Sequence, residues 1–220
     1  MPQLEALIFD LDGVITNTAH FHFIAWRKIA NDLGFDLSEA DNEKIKGLSR
    51  MDSLIRVLEI GGMSFEEAKL VELATAKNEH YQTFIREMTP EDILPGMADF
   101  LEQGKAAGLK LAVGSSSKNA PIILEQLELD TFFDTVVDGN GVTHSKPDPE
   151  VFVKAAAQIG VNPTAAIVFE DAMSGVEAAK AGGFCCVGVG DPAHLHKANH
   201  VIPNTVGLSL DALKEQLNFQ

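Results

Sequence analysis

The sequence predicts a doubly wound α/β fold: a Rossmann-like parallel-sheet core carrying an inserted helical cap domain. Three observations predict it. Short, nearly continuous apolar runs recur along the chain, as in strands buried on both faces of a parallel sheet. Helix-period stretches separate the later runs, the alternation of a doubly wound sheet. The first run is followed by a long segment, Thr18 to Met88, with helical periodicity and no convincing strand.

In order, residues 4–9 form the first apolar run, which stops abruptly at Asp10-Leu11-Asp12-Gly13. Residues 20–33, 39–46, 51–60 and 65–87 read as amphipathic helices, punctuated by Gly34, Gly47 and Gly61-Gly62. Pro95-Gly96 reopens the α/β pattern. Strands are predicted at 109–114, 135–138, 165–169 and 184–188, and helices at 97–107, 120–128, 149–159 and 175–181. The core therefore takes residues 1–17 and 89–220 and the cap residues 18–88, with hinges near 14–18 and 88–95.

Composition narrows the function. A formal net charge of −15 over 220 residues, with no Lys/Arg stripe among aromatics, argues against nucleic acid as a partner. No stretch approaches the ~20 apolar residues a membrane span requires, and Glu5 and Asp10 flank the first run where a targeting leader would be basic. The two cysteines, Cys185 and Cys186, are adjacent in an apolar run and read as buried thiols of a reducing compartment. A cytoplasmic protein, expected to be a monomer, is the reading.

Ligands of an open parallel sheet bind at the carboxyl ends of its strands. There the sequence places Asp10 and Asp12, then Ser115-Ser116, then Lys146 before Pro147, then Glu170-Asp171. So much negative charge in one place needs a cation, and oxygen ligands with open positions suit Mg²⁺. Two aspartates in one turn can divide the labour of phosphoryl transfer, one attacking phosphorus and the other moving the proton. The serines and nearby N–H groups can bind phosphoryl oxygens, and Lys146 can offset their charge.

These motifs, FDLDGV at 9–14, the Ser115/Ser116 segment, Lys146 in SKPDPEVF and Glu170-Asp171 in EDAMSGVEAAKAGG, resemble those of the haloacid dehalogenase superfamily. The resemblance implies Asp10 as nucleophile and Asp12 as general acid/base. It also implies one Mg²⁺ on Asp10, Asp12 through its carbonyl, and Asp171, with Glu170 a ligand either directly or through water. Within the superfamily the likeness is greatest to the β-phosphoglucomutase family, carried by DGVITNTAHFHFIAW at 12–26, KGLSRMDSL at 46–54, AKNEHY at 76–81 and SSSKNAP at 115–121. That likeness implies interconversion of β-D-glucose 1-phosphate and D-glucose 6-phosphate, with β-glucose 1,6-bisphosphate as intermediate and activator.

By the same resemblance, a second phosphate site takes Arg50, whose guanidinium suits bidentate phosphate binding, with Ser117, Lys118 and Asn119. Gly47 to Ser53 form the sugar-reading loop. His22 and Lys77 couple cap closure to Asp12. Trp26, one turn beyond His22, reads as cap packing or a sugar contact. Thr18 reads as a helix N-cap, a substrate contact, or both. Two departures stand out: Asn17, where the family often has an acidic residue, and the VVDGNGVTH stretch before Ser145. The alternative is a sugar-phosphate phosphatase of the same fold, since core motifs are shared and cap contacts decide between sugar and water as acceptor.

Overall fold

The computed structural model describes residues 2–220. Six parallel strands form one sheet: β1 Ala6–Phe9, β2 Lys110–Gly114, β3 Thr135–Val137, β4 Ala166–Glu170, β5 Cys185–Val189 and β6 His200–Ile202, in the order β3-β2-β1-β4-β5-β6. β1 is central, with Ala6 in register with Lys110 on one side and Ala166 on the other. Its four side chains are all buried, and the two-residue period of a strand sends them alternately to opposite faces. Leu7 and Phe9 join one core cluster, with Phe100 and Ile123; Ala6 and Ile8 join another, with Phe152 and Val176.

Helices cover both faces. α5 Met97–Ala106, α6 Ala120–Gln126 and α9 Leu210–Gln216 contribute to the Phe9 cluster, and α7 Glu150–Ile159 and α8 Met173–Ala181 to the Ile8 cluster. Phe9 stacks on Phe169 at 5.0 Å between centroids, and Phe100 packs edge-on against both. Burying one such ring stabilises the fold by roughly 1.5–3 kcal/mol. This packing gives the strand ends a rigid footing.

Between β1 and α5 lie the cap helices α1 Ala19–Asp32, α2 Glu39–Asn42, α3 Arg50–Ile60 and α4 Glu67–Ile85. They share a separate core around Trp26, Ile29, Leu37, Leu54, Val57, Leu58 and Leu73. Ser49 caps α3 by accepting the Asp52 N–H, so that Arg50 starts the helix. Thr18 makes no side-chain cap bond to α1, which removes the capping alternative.

The predicted elements appear with their ends within two residues of the expected positions, with one larger difference. α2 stops at Asn42 where a helix to 46 was predicted, because the chain turns to reach Gly47, whose φ of +74° suits glycine. Besides two single-turn 3-10 helices, Pro90–Asp92 and Pro163–Ala165, one strand and one α-helix were not predicted. β6 is a three-residue edge strand with only two apolar residues, and α9 buries only Leu210 and Leu213 of its seven; neither shows a clear apolar pattern. The two cysteines are free, and burial pushes both thiols up. No helix among the described residues is long and apolar enough to cross a membrane.

Candidate active site

Asp10 follows the last residue of β1 and stays in the ladder, its N–H donating to Phe169 O at 2.9 Å. Gly13 then turns the chain with φ +85°, and a methyl group there would collide with the Asp171 carboxylate. Opposite, Lys146 precedes a cis proline and is buried with its ammonium 2.6 Å from Asp10 Oδ1 and 2.7 Å from Glu170 Oε1. Glu170 is the last residue of β4 and wholly buried, and its other oxygen accepts the Ala172 N–H at 2.7 Å. A buried carboxylate of this kind is tolerable only because both oxygens are satisfied.

One ammonium does not balance this cluster. Burial pushes Asp10 up to about 7 despite the pull of Lys146, with Glu170 and Asp12 adding to the rise. Asp171 is pushed well above the carboxylate range by burial and by Glu170 and Asp10, while Lys46, 4.0 Å away, offsets part of it. Asp10, Glu170 and Asp171 each offer an oxygen within 4.8 Å of the others. An all-oxygen, charge-rich set of this kind fits a hard divalent cation such as Mg²⁺.

Asp12 belongs to a different environment, although it shares the turn. Its Oδ1 accepts from the Thr18 hydroxyl and from Tyr81 OH at 3.4 Å, and lies 3.6 Å from His22 Nε2. Burial alone would raise it, but His22, Thr18 and Lys77 together hold it below the ordinary carboxylate value. Asp10 and Asp12 are thus driven apart, the pattern that separates nucleophile from acid/base.

His22 receives its orientation from the cap. Lys77 Nζ lies 2.7 Å from His22 Nδ1, and an amine donating there leaves the ring proton on Nε2, facing Asp12. The Lys77 ammonium lies 4.8 Å from the Trp26 ring centroid and 4.5 Å from that of Tyr81. Burial, reinforced by Arg50, lowers Lys77 to about 7, and burial and Lys77 lower His22. Below pH 7 both folded and unfolded chains hold the Lys77 proton, and the full cost of burying it is present. Between 7 and the ordinary value of 10.5 only the unfolded chain keeps it, so stability rises with pH across that window. Lys77→Met is therefore expected to raise the melting temperature by several degrees at pH 6, at about 2–4 °C per kcal/mol. Calorimetry from pH 6 to 10 should show that gain shrinking as pH rises.

Besides the contacts to Asp12 and Asp171, five hydrogen bonds join cap and core among the described residues. Ser116 donates to Gly47 O at 2.9 Å, Ser174 to Lys46 O at 3.1 Å, Ser145 to Asp52, Gln82 to Asn119 at 3.0 Å, and Asn119 to Asn78 at 3.0 Å. They enclose a cavity of about 410 Å³, within the usual range for small-ligand sites. Asp10, Asp12, Ser116, Ser117, Lys118, Asn119 and Asp171 line it from the core, and His22, Trp26, Gly47, Arg50, Ser53 and Lys77 from the cap. Arg50 is half-buried, which holds its guanidinium below its ordinary value.

Four predicted residues stand behind the wall. Thr18, Ser115, Lys146 and Glu170 are buried and bond to the lining residues or their turn. Ser115 accepts the Ser117 N–H and keeps its own hydroxyl hydrogen to donate. Trp26 packs in the cap core with part of its ring at the cavity, and Ser53 donates to Ile45 O at 3.4 Å. The unusual loop before Ser145 is tied down by Asp138, accepting from Asn140 and Gly141, and by Glu150, accepting from Thr143, His144 and Lys154.

Sequence reasoning passed over Tyr81, Asn78, Gln82, Lys46 and Asp52. The signal for three of them was helical spacing: Lys77 and Tyr81, and Asn78 and Gln82, are pairs four apart on the side of α4 that faces α1 and the core.

Residues 4–183 match the family model described as haloacid dehalogenase-like hydrolase. The chain is 41% identical over 215 residues to a β-phosphoglucomutase of Bacillus subtilis, covering 97% of this chain and 95% of that protein. It is 32% identical over 182 residues to a phosphorylated carbohydrates phosphatase of Thermotoga maritima, covering 82% of each. The crystal structure of a β-phosphoglucomutase from Clostridium difficile superposes with a TM-score of 0.94 at 42% identity, covering 98% of both chains.

Proposed function

This chain belongs to the haloacid dehalogenase-like hydrolases, and on that footing we propose that it interconverts β-D-glucose 1-phosphate and D-glucose 6-phosphate. The single observation that carries the choice is the hold of the cap on Asp12. Its carboxylate is met by His22 and Tyr81 from cap helices, with Lys77 behind His22. An acid/base assembled from the cap works when the cap is closed, and a closed cap admits a bound sugar hydroxyl while excluding bulk water. The full-length similarity to two β-phosphoglucomutases supports the same choice.

In the forward direction, phosphorylated Asp10 donates its phosphoryl group to the C6 hydroxyl of glucose 1-phosphate while Asp12 takes the hydroxyl proton. The resulting β-glucose 1,6-bisphosphate exchanges ends, and Asp10 attacks the phosphorus on O1. Asp12 returns the proton to that leaving oxygen, giving glucose 6-phosphate and phosphorylated Asp10 again. Lys146 holds the Asp10 carboxylate and offsets charge on the transferring group. Arg50, Ser117, Lys118 and Asn119 grip the phosphate that is not reacting, and residues Gly47 to Ser53 read the sugar between. Asp10, Asp171 and the Asp12 carbonyl would hold one Mg²⁺, with Glu170 ligating directly or through water, and the cation would neutralise phosphoryl oxygens. Residues 18–88 act as the closing unit, and the protein works as a cytoplasmic monomer.

Hydrolysis of a small phosphosugar is the second reading, favoured by the phosphatase relative. A coupled dehydrogenase assay separates the two. With β-glucose 1-phosphate, Mg²⁺ and a trace of the 1,6-bisphosphate, glucose 6-phosphate should accumulate faster than inorganic phosphate, and EDTA should stop both. Rapid phosphate release without glucose 6-phosphate would select the phosphatase.

A further inference from the structure

Four side chains form a directed chain where the cap meets the core. Arg86 Nη2 donates to Gln82 Oε1 at 3.4 Å, Gln82 Nε2 to Asn119 Oδ1 at 3.0 Å, and Asn119 Nδ2 to Asn78 Oδ1 at 3.0 Å. An amide turned end for end occupies nearly the same space, so its direction must be set by its partners. A guanidinium has donors only. Gln82 must therefore show Arg86 its oxygen, which leaves its NH₂ for Asn119. Asn119 must in turn present its oxygen to Gln82 and its NH₂ to Asn78. The direction of three amides follows from one cation.

One N–H of Asn119 remains. It has no acceptor among the described residues, and Asn119 lines the cavity beside Ser117 and Lys118. Asn119 also stands at the N-cap position of α6 without making a side-chain cap bond, although asparagine is favoured there for that purpose. Its amide is committed to α4 instead.

We propose that Arg86, Gln82 and Asn78 are positioning residues that keep the Asn119 amide turned with its N–H, and not its carbonyl, toward the unreacting phosphate of the sugar. All three lie on α4 or at its C-terminal cap, so the donor is aligned only while the cap is closed. The inference rests on the reading that Asn119 belongs to the second phosphate site. The reverse orientation would aim a carbonyl oxygen at a phosphate dianion, losing a charge-assisted hydrogen bond and adding repulsion.

Two isosteric carboxylates separate amide direction from added charge. In Gln82→Glu the new side chain can only accept, from Arg86 and from Asn119, so the Asn119 amide must turn over. In Asn78→Asp the same charge arrives at the other end of that amide, but an acceptor replaces an acceptor and the direction is kept. Gln82→Glu is expected to raise KM for β-glucose 1-phosphate about 10- to 100-fold, the worth of a hydrogen bond to a charged group. Asn78→Asp should raise it less than about 3-fold on the same scale. Both should keep the wild-type melting temperature and the wild-type hydrolysis rate of acetyl phosphate, which has no second phosphate. Equal KM changes in the two variants, or none in Gln82→Glu, would overturn the proposal. Asn119→Ala identifies a failure of the underlying reading: if it leaves KM unchanged, Asn119 is not at the second phosphate site and the proposal falls with that reading. If it raises KM while the two carboxylate variants behave alike, only the directing role fails.

Discussion

Asp10→Asn is expected to lower turnover by about 10⁴-fold or more, because in the proposed mechanism it removes the atom that attacks phosphorus and leaves the remaining machinery in place. The replacement is sterically silent. Lys146 can still donate to the amide oxygen at the position where it now meets Asp10 Oδ1 at 2.6 Å. The variant also gives up a buried carboxylate that its surroundings already push up to about 7, so the fold should lose no stability. Phosphate release from an acyl phosphate and formation of glucose 6-phosphate should disappear together, while the melting curve stays at or above that of the wild type. A variant that retained either activity would remove Asp10 from the account.

Lys146→Met should produce the largest loss of stability among single substitutions at the site. The methionine fills a similar volume beside Phe152, whose ring centroid lies 4.6 Å from the Lys146 ammonium. What disappears is the one cation bonded to both Asp10 and Glu170, and Glu170 is wholly buried. Breaking a buried ion pair by removing one partner costs about 3–5 kcal/mol, since the surviving charge has no water to turn to. The melting temperature should fall by on the order of 10 °C, measured without divalent cations. Adding Glu170→Met should recover part of that loss, because it removes the stranded charge. If the single variant melts with the wild type, Lys146 is not the counter-ion described above.

The strand-end groups were legible because topology does the work: a parallel sheet puts the residues after β1, β2 and β4 at one edge, wherever they fall in the chain. Asp10, Asp12, Ser115, Glu170 and Asp171 could therefore be placed together from the pattern of apolar runs alone. The cap was legible as helices, but its contacts were not. Nothing in the spacing of Thr18 says whether its hydroxyl caps α1 or reaches Asp12, as it does. Lys77 and His22 are far apart in sequence, and only the packing of α4 on α1 brings Nζ to 2.7 Å from Nδ1. Tyr81 lay inside a recognised motif yet carries no titrating group near neutrality to draw attention. The amides of Asn78, Gln82 and Asn119 are the least visible of all, since their meaning depends on which end faces which neighbour. The short elements β6 and α9 escaped for a simpler reason: β6 offers only two apolar residues after His200, and α9 buries only Leu210 and Leu213.

The proposed mutase and a phosphatase differ in where a phosphoryl group carried by Asp10 goes next. Enzyme labelled at Asp10 by radioactive β-glucose 1,6-bisphosphate, freed of sugar and then mixed with excess glucose 6-phosphate or with buffer alone, answers this in a single turnover. The expected result is rapid passage of the label into the bisphosphate when sugar phosphate is present, with slow loss to inorganic phosphate in buffer. Label appearing as inorganic phosphate at one rate in both mixtures would contradict it.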